Sequence, residues 1–222
     1  MTDQAQRKVK LSRERIVDAA ITLADQSGLE SLTIRALADH LGTRPMTLYH
    51  HVDGKESLLD WMVDRVFAQM ELPSPDLDWI DALRQRCRST RAVLVEHPWS
   101  VPLLESRTSP GPELLRHHEA MLATLDRGGL PLDRMAHAYA VLDSYVYGFS
   151  LQEANLPAQG GEQIAEVAHE VVAAFASGAY PQLARLTSEH VMRPGYSFGS
   201  SFDVGLEMLL AGISARAEEE GA

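Results

Sequence analysis

Cysteine is almost absent from this chain, since Cys87 is the single one among 222 residues. One cysteine excludes an internal disulfide and any zinc site built from several thiolates, and it suits a reducing compartment. The sequence also lacks an apolar run near the ~18 residues that a membrane helix needs. Its first residues are polar and lack a signal-peptide core. From these absences we expect a cytoplasmic protein that does not enter a membrane.

Alternating strand patterns, repeats and low-complexity stretches are also missing, whereas hydrophobic residues make up 45% of the chain. Segments of helical periodicity follow one another, separated by Pro or Gly. The sequence therefore predicts an all-α fold. Its helices are expected at 12–27, 33–40, 44–50, 54–70, 77–97, 99–107, 113–127, 131–155, 162–177 and 200–218, with mixed structure over 179–198.

A proline-rich break at residues 72–76 divides the chain into two predicted domains. Residues 1–72 form an N-terminal three-helix helix-turn-helix domain with a linking helix. Residues 73–222 form a larger helical domain for ligand binding and dimerisation.

Nine histidines raise the question of an enzyme or a metal site. His117 and His118 are adjacent, so they point in different directions on a helix, and no HExxH spacing is present. His97 precedes a proline and is expected to act as a local cap. No nucleophile, base and orienting group can be assembled from the spacing. We expect no catalytic activity, no metal and no cofactor.

The charge is negative overall, at −11, but unevenly distributed. Residues 1–55 carry eight Lys or Arg against seven Asp or Glu, whereas residues 56–222 carry twelve against twenty-four. Such a chain can bind DNA through its first part and repel it elsewhere. The basic residues 1–10 are either a solvated tail or an arm that touches phosphates.

The segment from Leu32 to Lys55 reads as two short helices joined by a tight turn. Thr33 is expected to cap the first helix, and Gly42 to end it in the left-handed conformation. Thr43 is expected to cap the second, with Pro45 in its first turn. Ser12 is expected to cap the preceding helix, and Asp53 to begin a capping box for the following one.

The second helix of this segment has only two apolar anchors, Leu48 and Val52, so neighbouring helices must hold it. Its outward residues suit the major groove of DNA. Arg35 and Arg44 are the best candidates to read bases, although Arg35 has the alternative of an ion pair with Asp39. The candidate phosphate contacts are Thr33, Thr47, Tyr49, His51 and Lys55, and the remaining candidate DNA contacts are Pro45, Met46 and His50.

The stretch LTIRALADHLGTRPMTLYHHVDGKESLLD resembles the DNA-binding head of TetR-type transcriptional regulators, and within them the tetracycline-repressor branch. The resemblance implies a palindromic double-stranded DNA operator, a small-molecule ligand and a linking helix that moves when ligand binds. Pro45 and His50 depart from the pattern of that branch, so its operator does not carry over. The His and Glu that hold its magnesium–drug chelate align with Glu105 and Gln152, which do not match.

The second domain is expected to hold an unknown small molecule. Pockets are mostly apolar with a few polar groups, and the alternative is that these side chains are simply core. The candidate ligand-binding residues are Trp79, Trp99, Met121, His118, Tyr139, Tyr145, Phe149 and Gln152.

Two helices carry small residues that allow close helix approach. Ala136, Ala140, Ser144 and Gly148 recur every four residues in 131–155, and residues 204–212 resemble the dimer helix of the tetracycline-repressor branch. A homodimer through residues 131–155 and 200–218 is predicted, with packing inside one chain as the alternative. The sequence therefore predicts a DNA-binding transcriptional regulator, a repressor released from its operator by a ligand; the alternative is a ligand-independent DNA-binding or protein-interaction module.

Overall fold

The structure is a computed structural model that describes residues 11–104, 106–107, 109–156 and 178–220. The predicted arm at 1–10, Glu105 and the predicted helix at 162–177 lie outside the described residues. The described chain is helical, which confirms the all-α fold. Its helices are α1 Arg13–Ser27, α2 Ile34–His40, α3 Pro45–Tyr49, α4 Lys55–Phe67, α5 Trp79–Glu96, α6 Val101–Leu104, α7 Pro112–Arg127, α8 Leu132–Asn155, α9 Pro181–Leu186 and α10 Ser201–Glu220.

Some helices are shorter than predicted. The helix expected at 99–107 is a 3₁₀ turn, Pro98–Ser100, followed by the four residues of α6. The linking helix α4 ends at Phe67 rather than at Met70. Within the described residues, no helix is long and apolar enough to cross a bilayer.

The described residues form two compact units. The first combines the chain up to Met70 with residues Glu96–His118, and the second combines Glu71–Val95 with the chain from Glu119 onward. The first unit is therefore built from two separate parts of the sequence.

In the first unit, α1 packs against α2 and α4 through apolar side chains that recur at helical spacing. Ser12 accepts a hydrogen bond from the backbone N–H of Arg15, and Thr33 accepts one from Ala36, so both predicted caps are confirmed. The side chains buried in this core include Ile16, Ala20, Leu37, Leu48, Leu58 and Met62.

In the second unit, α10 packs on α8 and is tied to α5 by ion pairs. Arg84 donates to both carboxylate oxygens of Glu207, at 2.6 and 2.9 Å. A Cβ on Gly205 would lie 2.8 Å from Cζ of Tyr145, so this glycine permits close approach of α10 to α8 within one chain. The side chains buried in this core include Leu83, Leu94, Leu142, Val146, Phe202 and Leu206.

Candidate nucleic-acid interface

The turn between α2 and α3 fixes the angle of the two helices. Gly42 has φ +63°, and its N–H donates to the carbonyl of Asp39 while the Thr43 N–H donates to that of Ala38. These two hydrogen bonds form a Schellman motif, which closes the C-terminal end of α2. The prediction that Thr43 caps α3 is wrong, because α3 begins at Pro45 and its N-cap is therefore Arg44, which makes no side-chain capping bond.

Helix α3 is held from one side only. Leu48 is fully buried and Val52 nearly so, and both lie one turn apart against the core. Met46 is 68% exposed and Tyr49 53% exposed. Arg44, Pro45 and His50 are exposed as well, and Thr47 is half-buried. The five-residue helix and its two flanking residues therefore present exposed apolar, aromatic and basic side chains to solvent.

The beginning of α2 adds two further groups. Thr33 uses its hydroxyl oxygen to accept the Ala36 N–H at 3.1 Å, which leaves the hydroxyl hydrogen to donate to a phosphate. Arg35 is exposed. Over the described ranges no ion pair joins Arg35 to Asp39, and none engages Arg44, so both guanidinium groups are available to DNA.

The beginning of α4 supplies Lys55, which is exposed. The predicted capping box does not form, because the N-cap is Gly54 at φ +131° rather than Asp53, and it makes no side-chain bond. A helix N-terminus favours an anion through its unpaired amides and its dipole. Lys55 adds a full charge there, and the neighbouring His51 is exposed too.

The predicted ligand-binding residues have varied surroundings. Tyr145 and Phe149 contact each other with ring centroids 5.9 Å apart, and both also contact Phe202. In the first unit, Trp99 is buried and donates its indole N–H to Asp25 at 2.6 Å. A Cβ on Gly128 would lie 2.5 Å from the Trp79 ring.

The remaining members of that set differ in exposure. Met121 is fully buried, His118 and Tyr139 are half-buried, and Gln152 is exposed. As ligand contacts, all eight residues stay a prediction.

Sequence reasoning missed a buried polar cluster in the second unit. Arg86 is 1% exposed and donates to Asp143 at 2.5 Å, and Tyr147 donates to the other oxygen of Asp143 at 3.5 Å. Burial opposes the charge of Arg86, but the Asp143 carboxylate outweighs it and raises the Arg86 pKa. The available signal was an arginine next to the apolar stripe of α5, which carries Leu83, Cys87 and Leu94.

Comparison with known proteins agrees with this arrangement. Residues 16–62 match the family described as bacterial regulatory proteins, tetR family, and residues 72–217 match the tetracyclin repressor-like C-terminal domain. The HTH-type transcriptional repressor DrrR1 of Streptomyces coeruleorubidus is 34% identical over 93% of this chain and 78% of its own length. Tetracycline repressor protein class E of Escherichia coli is 29% identical over 95% of this chain and 94% of its own.

Solved structures show the same likeness. ActR of Streptomyces coelicolor without ligand superimposes with a TM-score of 0.77 at 27% identity, covering 96% of this chain and 99% of that one. Its complex with actinorhodin also gives a TM-score of 0.77, covering 94% and 99%. With a helix-turn-helix unit at residues 16–62 and a matching helical domain over most of the remainder, the chain belongs to the TetR family of bacterial transcriptional regulators.

Proposed function

We propose that this chain is a homodimeric repressor that binds a palindromic operator in the cytoplasm and leaves it when a small molecule binds the second unit. Helix α3 carries the proposal. Its inward residues fix it to the core, while Arg44, Met46, Tyr49 and His50 face solvent. The major groove is wide enough to admit such a helix, and its base edges can be read by arginine.

The exposed side chains divide into two groups. Arg35 and Arg44 have no ion-pair partner among the described residues and would read bases, with Pro45, Met46 and His50 beside them. Thr33, Thr47, Tyr49, His51 and Lys55 would contact phosphates, which orient the protein without specifying sequence.

A second copy of the chain would cover the outer side of α8 and α10. Val204 and Met208 are 58% and 71% exposed, and the small residues Ala136, Ala140 and Ser144 are exposed as well. The same side contains an apolar groove of about 400 Å³ lined by residues that include Ala138, Val141, Met208 and Gly212. A two-fold dimer through α8 and α10 buries this apolar surface and matches the symmetry of a palindrome.

Two observations support a small-molecule ligand. ActR, which shares the fold, has been crystallised with actinorhodin. In the second unit of this chain, Nε of Arg86 and the hydroxyls of Thr90 and Ser150 are buried without a hydrogen-bond partner. Each such group costs about 1–3 kcal/mol, and a polar ligand or water between α5 and α8 would satisfy them.

Selection from random duplex DNA with the full-length protein tests this function. We expect a two-fold symmetric motif whose affinity falls with salt at a log–log slope of several units. Lys55→Ala should lower that slope. Arg185→Ala is the control and should not, because Arg185 lies in the second unit in an exposed ion pair with Glu189. Failure to enrich any motif would contradict the proposal.

Operator release measured by fluorescence anisotropy, with actinorhodin as the first probe, tests the ligand response.

A further inference from the structure

One side of α4 carries three carboxylates at four-residue spacing, Glu56, Asp60 and Asp64, which therefore lie along one face of the helix. All three contact a segment some 50 residues further along the chain within the same unit. Arg107 donates to Glu56 at 2.8 Å, and the same nitrogen is 3.5 Å from Asp60.

Asp64 caps α7 from outside that helix. Its Oδ1 accepts hydrogen bonds from the backbone N–H groups of Glu113 at 2.9 Å and Leu114 at 3.1 Å. The first amides of a helix have no partner within it, and an acidic acceptor there also interacts favourably with the helix dipole. Asp64 therefore serves two unpaired amides at once.

The contact is close and partly shielded from solvent. The side chain of Arg107 is 14% exposed and that of Asp60 is 26% exposed, whereas Glu56 is largely in water. A Cβ on Gly111 would lie 2.7 Å from Cβ of Asp64, so only glycine at this position lets the segment approach α4. The Arg107–Asp60 pair is consequently less screened than a surface ion pair.

The later part of α4 and the residues after it contact two histidines from the second sequence segment of this unit, His97 and His117. Phe67 and His117, both buried, have ring centroids 5.7 Å apart. His97 lies 2.8 Å from Asp25 of α1 and 3.3 Å from Gln69, just beyond α4. Described residues between His97 and His117 thus contact α4 or Gln69 just beyond it, although residues 71–95 separate the two segments in the sequence.

We propose that Asp64 and Arg107 are positioning residues for DNA binding. By fixing α4 they hold Lys55, its first residue, and the adjacent amides where a phosphate must lie. This inference rests on the proposed function, because Lys55 must contact DNA for its position to matter. Neither positioning residue touches DNA; each acts through α4.

The test is a double-mutant cycle on the full-length protein, read as the salt dependence of operator binding. Lys55→Ala alone should reduce the log–log slope by about two units across both half-sites. Asp64→Ala and Arg107→Met should reduce it similarly, and Lys55→Ala should then add little. Asp64→Asn keeps an acceptor oxygen for the two amides and should restore much of the slope. Circular dichroism at the assay temperature confirms that each variant is folded.

Arg65→Ala is the matched control, because Arg65 lies on the same helix in an exposed pair with Asp18. It should leave the slope unchanged. If Asp64→Ala and Arg107→Met lower thermal stability but leave the slope and the Lys55 effect intact, their role is only structural and the inference is overturned. If Lys55→Ala itself has no effect on the slope, the proposed DNA interface fails at Lys55, and the positioning role fails with it. Should Asp64→Ala not fold, Arg107→Met alone decides the outcome.

Discussion

At the scale of single residues, substitution of Arg44 should alter sequence specificity, whereas substitution of Tyr49 should reduce affinity for all DNA sequences. Arg44 is exposed at the N-cap of α3, and the beginning of a groove-bound helix lies nearest the base edges. Arg44→Ala should cost about 1–3 kcal/mol on the operator and relax preference at one base pair per half-site. Tyr49→Ala should weaken operator and random DNA together, because phosphates carry no sequence information.

Selection from random DNA with each variant measures this difference. A motif that is unchanged by Arg44→Ala, with only affinity reduced, would make Arg44 a phosphate contact. Specificity would then belong to Arg35, Met46 or His50.

Tyr139 gives the second unit a pH-dependent stability. Burial, followed by the nearby Asp143 charge, raises the pKa of Tyr139 above its ordinary value of 10.0. The folded protein then holds a proton that the unfolded chain releases above this pH. The free energy of unfolding should therefore be unaffected by Tyr139 below pH 10 and should fall as the pH rises beyond it.

Urea denaturation between pH 8 and pH 11 checks this on the wild type and on Tyr139→Phe. The phenylalanine variant should lose less stability over the alkaline part of that range. Equal losses in the two proteins would show that Tyr139 does not carry this pH dependence.

At the scale of elements, the α2–α3 turn depends on the left-handed backbone of Gly42. An added Cβ would meet no other group, so the cost of Gly42→Ala comes from backbone conformation alone, about 1–2 kcal/mol. We expect that loss in chemical denaturation, with operator affinity reduced further because the angle of α3 changes. The exposed neighbour Asp39→Ala is the control and should stay within about 0.5 kcal/mol. A Gly42→Ala variant as stable as the wild type would contradict the strain argument.

At the scale of the whole molecule, assembly should depend on exposed apolar residues of α10. Met208→Glu places a charge at the centre of the proposed dimer face without disturbing the core, since Met208 is 71% exposed. Light scattering should then report monomers, and operator affinity should fall because one protomer holds only one half-site. Gly205 is a poorer choice, because its replacement clashes with Tyr145 inside the chain.

The control for assembly is Leu186→Glu, on the exposed side of α9. It should remain dimeric. A dimeric Met208→Glu variant would mean that the interface lies elsewhere.

The sequence by itself determined the recognition segment. Ser12 and Thr33 cap their helices, Gly42 closes α2, and Leu48 and Val52 anchor α3, all as the spacing predicts. These features depend on neighbours three or four residues away. Helical geometry places such residues on one face, so their contacts can be predicted from sequence spacing. The predictions that Thr43 and Asp53 act as caps are wrong, because α3 and α4 each begin one residue later than predicted, so that Arg44 and Gly54 occupy the N-cap positions.

Only the tertiary structure decided which distant side chains meet. The contacts of Asp64 with the amides of Glu113 and Leu114, and of Arg107 with Glu56, bridge about fifty residues. The pairing of Arg86 with Asp143, and the neighbour of Gly205, are equally remote. Periodicity shows which face of a helix is apolar, but not which helix covers it. The packing of whole helices decides which distant side chains contact each other, so these contacts can be known only from the folded chain.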